Sequence, residues 1–376
     1  MTVFLIIIVV ALFAITLWQL SRIFVLSRST EPLDNNQVAS DKDNRTQGNL
    51  MLAFGIAFYL FMLYNFWNFT DRALPAASSA HGAEYDNLLL ITMALIMFVQ
   101  VITQGLLHFF AFRYKGKQGR KALFFADNDK LEFVWTIIPV IVLAGLIIYG
   151  LFTWTDIMDV AEEEDPIVIE LYAQQFRWTA RYAGQDNVLG KANVRFIEGP
   201  NTLGVDETDA YAYDDVVVTE LHLPVDRPVL FKMRSQDVLH SAYFPHFRAQ
   251  MNVVPGMITQ FSFTPTVTTD EIQETEYMRD KIARIQEIRR EENKRRAVAG
   301  EEALPPYEQF EYFLLCNKIC GVAHYNMQMK VVVESQQEFQ DWMAQQERFG
   351  ETIQPEESSP EPAAVSDGAD VAQVQQ

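Results

Sequence analysis

The sequence predicts a membrane α-helical N-terminal part of four helices, followed by an all-β domain. Three observations carry this. Charged residues make up 21% of the chain, yet none occurs in 1–21, 46–70, 87–112 or 133–155. Alternating β-forming residues dominate 166–264, with Pro, Gly, Asn and Asp between the runs, as in a sandwich. The formal charge of −19 is also one-sided. Residues from 155 onward carry 39 acidic and 19 basic side chains, and those before carry 10 and 11. An acidic excess of this size argues against nucleic acid as a partner. It favours cationic partners, whose approach it would steer.

Each charge-free run is 21 to 26 residues long, and a spanning helix needs about 20. The first run begins Met1-Thr2-Val3-Phe4 without an early positive charge and leads into Gln19-Leu20-Ser21-Arg22. That pattern favours an uncleaved helix over a signal peptide. Lys and Arg set the orientation. Arg22, Arg28, Lys42 and Arg45 lie between helices one and two. Arg113, Lys115, Lys117, Arg120, Lys121 and Lys130 lie between three and four, against Arg72 alone between two and three. The two basic segments are therefore expected in the cytoplasm, with both termini and everything after 155 outside. Helix two is rich in aromatics that suit lipid or protein contact, and His108 inside helix three is expected to meet a neighbouring helix. Helix four opens with Glu132-Phe133-Val134-Trp135-Thr136-Ile137-Ile138-Pro139. By itself Glu132 is a carboxylate at a helix N-terminus, where the macrodipole favours it.

In the outer part, strands are expected over Ile167–Tyr172, Val216–Leu221, Val229–Phe231, Ile258–Phe263, Phe310–Leu315 and Met329–Glu334. Residues 270–306 read as a charged insertion. Asp280/Arg284, Glu291/Arg295 and Glu292/Arg296 are i,i+4 pairs that support a solvated helix, ended by Gly300 and Pro305-Pro306. Residues 346–376 form an expected disordered acidic tail, with few large apolar side chains after 351.

The two flanking strands enclose Cys316-Asn317-Lys318-Ile319-Cys320-Gly321-Val322-Ala323-His324-Tyr325-Asn326-Met327, which holds both cysteines of the chain. Upstream lies Asp237-Val238-Leu239-His240-Ser241. Two thiols, a thioether and imidazoles ask for a soft metal, most naturally copper. The residues alone leave other readings open. The cysteines could pair as a disulfide in an oxidising compartment. His240, Cys316, Cys320 and His324 could hold zinc. A membrane-anchored copper-delivery protein could also carry such a motif.

The C-x3-C-x3-H-x2-M run with its upstream D-V-x-H-S resembles subunit II of the haem–copper cytochrome c oxidases, over about 87–264 and 307–345. The resemblance implies a cupredoxin-like Greek-key barrel with a binuclear copper A centre. Its ligands would be His240, Cys316, Cys320, His324, Met327 and the backbone carbonyl of Lys318. It implies an electron-transfer subunit of a proton-translocating oxidase in the bacterial inner membrane, with the domain spanning 156–345 on the periplasmic face. Electrons would come from cytochrome c and pass to haem in subunit I, where the haems and copper B reside. Subunit I, other oxidase subunits and lipid are the implied partners. The E-x-x-W-T-x-x-P run is similar to the second helix of the family, which places Glu132 at the mouth of a proton channel shared with subunit I. The usual two helices match 81–155, so 1–80 reads as an additional transmembrane hairpin.

Two departures stand out. Where the family has a glutamate that binds an intersubunit magnesium ion, this chain has Lys318, whose ammonium cannot ligate a cation. Where the family accepts electrons at a tryptophan, the stretch Gln175-Phe176-Arg177-Trp178 offers Phe176, so Phe176 and Trp178 are both candidates for that role. The alternative is that Tyr172, Phe176, Trp178 and Tyr182 share one strand face and are core aromatics.

Overall fold

The four charge-free runs lie in α1 (Thr2–Ser27), α2 (Asp41–Phe69), α3 (Gly82–Arg113) and α4 (Asp129–Met158). The computed structural model describes residues 2–27, 40–70, 74–159 and 165–353. Arg28, Arg72 and the tail from 354 lie outside these. At its N-terminus α2 overruns its apolar run, because a polar residue closes that end. Ser40 caps α2 by accepting the Asp43 N–H at 3.1 Å, which satisfies a donor that the first turn leaves free. Each of α2, α3 and α4 is long and apolar enough to cross a membrane, and Ile8–Phe24 of α1 forms a shorter apolar helix.

Two compact units divide the chain, Met1–Thr70 with Ile96–Asn128, and Asp71–Leu95 with Asp129–Gln376. In the first, α2 meets the second half of α3 closely. A Cβ on Gly55 would stand 2.7 Å from the His108 ring, and Tyr59 donates to the Val101 carbonyl at 2.5 Å. His108 thus meets a neighbouring helix, as a lone membrane histidine should.

The second unit holds a β-sandwich. One sheet orders β3 (Val216–Val218), β2 (Arg177–Tyr182), β1 (Ile167–Gln174), β5 (Val229–Ser235) and β8 (Thr259–Phe263). The other orders β4 (Leu221–Pro224), β10 (Gln328–Glu334), β9 (Tyr312–Cys316), β6 (His240–Phe244) and β7 (Ala249–Val253). The chain changes sheet five times, between β3 and β4, β4 and β5, β5 and β6, β7 and β8, and β8 and β9. Parallel pairs β1–β5 and β4–β10 join segments distant in sequence, as a cupredoxin-like Greek key requires. Period-two burial puts Val229, Phe231 and Met233 of β5 against Tyr312 and Leu314 of β9 and Val331 of β10.

Central β1 is covered on both faces. Its outer face carries Tyr172, which packs with Leu203, Val205, Ala212 and Phe349. The same face buries an ion network. Arg181 Nε lies 2.7 Å from Glu170 and Arg181 Nη1 lies 2.6 Å from Asp215, while Arg234 also grips Glu170. Burial works against the Glu170 charge, but Arg181 and Arg234 hold this carboxyl below the usual range. Burial pushes Asp215 up to about 7, against the pull of Arg181.

The insertion folds as α5 (Thr269–Glu274) and α6 (Glu276–Ala299), ended by Gly300 at φ 73°, the left-handed stop that glycine permits. Of the three expected ion pairs, Glu292/Arg296 forms, and the other two do not among the described residues. Glu291 meets Lys294 at 2.7 Å, while Glu292 meets Arg295 at 3.6 Å and Arg296 at 3.9 Å. Nor is α6 simply solvated, because Met278 is buried and Ile282 packs on the sandwich core.

Three expectations need correction. The β-forming run 216–221 is two strands in different sheets, since Thr219 and Glu220 carry the chain from one to the other. Tyr172, Trp178 and Tyr182 are core aromatics, but the four do not share one strand face: Trp178 and Tyr182 lie on one and Tyr172 on the other. The chain turns at Gln175–Phe176, and Trp178 opposite Ala173 faces away from Tyr172 opposite Thr179. The tail does not begin at 346. After α7 (Gln336–Ala344), Arg348 bridges Val216 and α8 (Phe349–Ile353) buries Phe349, so 346–353 belongs to the folded domain.

Candidate metal centre

Three strand ends bring the ligands together. Ladder pairing of β6 with β9 sets Ala242 opposite Cys316, which puts His240 beside the start of the loop. Asn317 N–H donates to the Ser241 carbonyl and Cys316 N–H to the Met327 carbonyl, both at 3.0 Å. The loop is therefore closed on itself and on β6 before any side chain is considered.

All six expected donors fall into one chain of contacts. Cys316 Sγ lies 3.8 Å from His240 Nδ1, 3.2 Å from the Lys318 carbonyl oxygen and 3.8 Å from Cys320 Sγ. Cys320 Sγ lies 3.6 Å from His324 Nδ1 and 3.7 Å from Met327 Sδ. Both cysteines are free. A disulfide needs about 2.05 Å between sulfurs. Two thiolates bound at about 2.3 Å to one tetrahedral ion would instead stand about 3.8 Å apart, the observed spacing. His240, Cys316 and Cys320 are buried, with ligand atoms close enough to hold a metal ion. Burial and the neighbouring Cys316 push the Cys320 thiol up to about 11. A soft cation is what would make such a thiol a thiolate near neutral pH. The donor set therefore fits copper.

The shell behind the ligands is equally built. His240 Nε2 lies 2.9 Å from Asp237 Oδ1, and Asp237 also accepts the Gln175 and Val238 N–H groups at 2.7 Å. Burial disfavours this carboxylate, but His240 and the two N–H donors hold it below the usual range. With Nε2–H given to Asp237, the Nδ1 lone pair faces the cysteines. Sequence reasoning placed no role on Asp237, although its position three residues before His240 was a signal for one.

The turn between β1 and β2 lies on the ligand loop. Gln175 Nε2 donates to the Cys320 carbonyl, and a Cβ on Gly321 would stand 2.8 Å from the Phe176 ring. Gly321 adopts φ 141°, so both backbone and space call for glycine there. Of the two candidates for accepting electrons, Phe176 is half-buried against this loop. Trp178 is buried beneath the centre, its ring 6.1 Å from that of His240. The Lys318 side chain is exposed while its carbonyl turns inward. Glu132 is not brought to this centre. It lies in the first turn of α4, a 30-residue helix away from the sandwich.

Comparison with known proteins points to one family. Residues 64–152 match the transmembrane domain model of cytochrome c oxidase subunit II, and 167–270 match the model of its periplasmic domain. The alternative cytochrome c oxidase subunit 2 of Bradyrhizobium diazoefficiens is 30% identical over 302 residues, covering 80% of this chain and 91% of that protein. Cytochrome c oxidase subunit 2 of Cereibacter sphaeroides is 22% identical over 290 residues, covering 74% of this chain and 79% of that one. A crystal structure of the periplasmic domain of subunit II from Bradyrhizobium japonicum is similar at 18% identity and TM-score 0.28, covering 49% of this chain and 95% of that domain. With a soft-metal ligand loop at the end of a cupredoxin-like sandwich and apolar spanning helices before it, this chain belongs to the cytochrome c oxidase subunit II family.

Proposed function

We propose that this chain accepts single electrons from cytochrome c at a binuclear copper A centre and passes them to haem in subunit I, where oxygen is reduced and protons are pumped. The observation that carries this reading is the unbroken chain of six donor groups at 3.2–3.8 Å, with two thiols at its middle. Cys316 and Cys320 each have donors on either side, so each can serve two ions. When bound, such a centre shares one electron between two coppers and changes little in shape on reduction. The residues of the chain supply the rest. Asp237 fixes the His240 ring, the loop hydrogen bonds fix the cysteines, and the buried ligands exclude water. A site held rigid before reduction needs little reorganisation during it.

A copper-delivery role is not favoured, because His240, Cys316, Cys320 and Met327 are buried, whereas a donor of ions must expose its ligands. We assign 1–80 as an additional transmembrane hairpin, 81–155 as the hairpin of the oxidase type and 156–345 as the periplasmic copper domain. The bacterial inner membrane is the proposed location, and Glu132 is the proposed proton-channel residue. Lys318 is proposed to stand, as a fixed positive charge, where relatives hold magnesium. The full chain loaded with copper is expected to bind two ions and give a mixed-valence paramagnetic resonance signal, which Cys316→Ser or Cys320→Ser abolishes. One zinc per chain by metal analysis, or a disulfide in the assembled oxidase, would overturn the assignment.

A further inference from the structure

The insertion that begins where the periplasmic family match ends, at residue 270, does more than cover the sandwich. Between α6 and the corner after β6 it leaves an open cleft of about 450 Å³. That is large enough for a small organic molecule. Three features of its lining point to one kind of ligand.

The first is charge. Lys281 and Arg284 lie one turn apart on α6, both half-buried, and neither has a carboxylate partner among the described residues. They line this cleft although the residues from 155 onward carry a formal charge of −20. Burial and the neighbouring Arg284 both pull the Lys281 ammonium below its ordinary range, and an anion between the two cations would relieve both effects. Glu311 also lines the cleft, but it is paired with Lys330 at 3.1 Å.

The second is an orphaned polar atom. His246 lines the cleft, is only 8% exposed, and its Nε2 has no hydrogen-bond partner among the described residues. A buried polar atom without a partner is rare enough to call for a ligand or water. Burial, together with Lys281 and Arg248, pushes this imidazole down to about 3. It is therefore neutral at ordinary pH, and its Nε2 can donate or accept one hydrogen bond.

The third is the apolar wall. Tyr277, Tyr307, Phe310 and Phe313 line the cleft, with Lys281 5.3 Å from the Phe310 ring centre. Aromatic faces beside cations suit an anion that carries a flat or apolar body.

We propose that this cleft binds an organic phosphate. The phosphate would lie between Lys281 and Arg284 and the apolar body against the aromatic wall, with a turn of the buried His246 ring bringing its unpartnered Nε2 to one polar atom of the ligand. A guanidinium and an ammonium one turn apart match the several oxygens of a phosphate better than a single carboxylate would. The same chemistry is offered by a nucleotide and by a phospholipid headgroup.

The test is calorimetric binding to the full copper-loaded chain in a neutral detergent, with three probes: adenosine monophosphate, short-chain phosphatidylglycerol and inorganic phosphate. One of the two organic probes is expected to bind at least tenfold tighter than inorganic phosphate, and which one identifies the source. Lys281→Met with Arg284→Gln is expected to weaken that binding at least tenfold while the copper absorption spectrum stays unchanged. His246→Phe, which can pack among Phe310 and Tyr312, should weaken it by a smaller factor. Equal affinity for all three probes, no organic probe bound at millimolar concentration, or affinity indifferent to the paired substitution would each overturn the proposal.

Discussion

Asp237 Oδ1 lies 2.9 Å from His240 Nε2, on the far side of the imidazole from Cys316. Because Asp237 also accepts two backbone N–H groups, the ring is held by a carboxylate that is itself held. Outer partners of this kind typically contribute about 10–100-fold to metal affinity. Asp237→Ala should therefore lower copper affinity by about that factor. It should leave the proposed stoichiometry of two unchanged, because no ligand is removed. Competition with a chelator measures the first and metal analysis the second. Affinity equal to the parent chain would mean that the loop alone fixes His240.

The contact between Gly321 and Phe176 makes a second case. Gly321→Ala adds a Cβ that meets the Phe176 ring at 2.8 Å, on a backbone at φ 141°. A residue held in a sparsely populated backbone region costs about 1–3 kcal/mol, and the steric clash adds to this. The double variant with Phe176→Ala should recover the ring's share of the clash, but neither the share from Gln175 Nε2 at 2.9 Å nor the backbone part. Thermal unfolding of the four members of the cycle measures that coupling. Strict additivity would mean that the ring and the loop do not touch in solution.

Much of the centre was legible because its donors are local. Five of the six lie within 316–327, and His240 sits in a motif of its own. The shell was less legible, since Gln175 and Phe176 reach the loop only after β1 and β2 have joined their sheet, some 145 residues away in sequence. The helices followed directly from length and hydropathy. The split of 216–221 did not, because continuous β-formers carry no signal for which sheet they join. The burial of Phe349 was hidden for a related reason. Its neighbours Leu203, Val205 and Ala212 come from an irregular segment with no periodicity of its own. The cleft beneath α6 likewise depends on where the insertion packs, not on its i,i+4 charge pattern.

The buried network at Glu170 predicts a response to acid. Arg181 and Arg234 hold the folded-state carboxyl below its ordinary value of 4.5. A lowered value means that the folded state favours the charged form. The stabilisation is complete above the unfolded value and is lost as pH falls through the folded one. Glu170→Gln should therefore flatten the decline in stability below about pH 4.5, while lowering stability at neutral pH. The neutral-pH loss should be about 3–5 kcal/mol, because two buried cations lose a partner. Asp215 slopes the other way, since its raised value favours the protonated form in the fold. Denaturant titrations of the full chain at several pH values would resolve the two slopes. A Glu170→Gln chain as acid-sensitive as its parent would remove Glu170 from this account.

The ligand loop carries its own docking prediction. Ile319, Val322 and Tyr325 are 86%, 92% and 88% exposed, so three large apolar side chains stand out from the loop that holds the ligands. They do so in a stretch, from residue 155 onward, that carries a formal charge of −20. The two features should act at different stages of an encounter with the proposed donor, a cationic cytochrome c. Charge acts at a distance and is screened beyond a Debye length of about 8 Å at physiological salt, so it should govern the association rate. Apolar contact forms only after the partner has arrived, so it should govern dissociation. Val322→Ala with Tyr325→Ala should thus raise the dissociation rate several-fold and leave the slope of association rate against ionic strength unchanged. Neutralising acidic residues elsewhere on the domain should do the reverse. Stopped-flow reduction of the loaded chain by cytochrome c at several salt concentrations separates the two. If the apolar pair instead altered only assembly with subunit I, and donor kinetics in the assembled oxidase were untouched, these side chains would belong to the subunit interface and the donor would dock elsewhere.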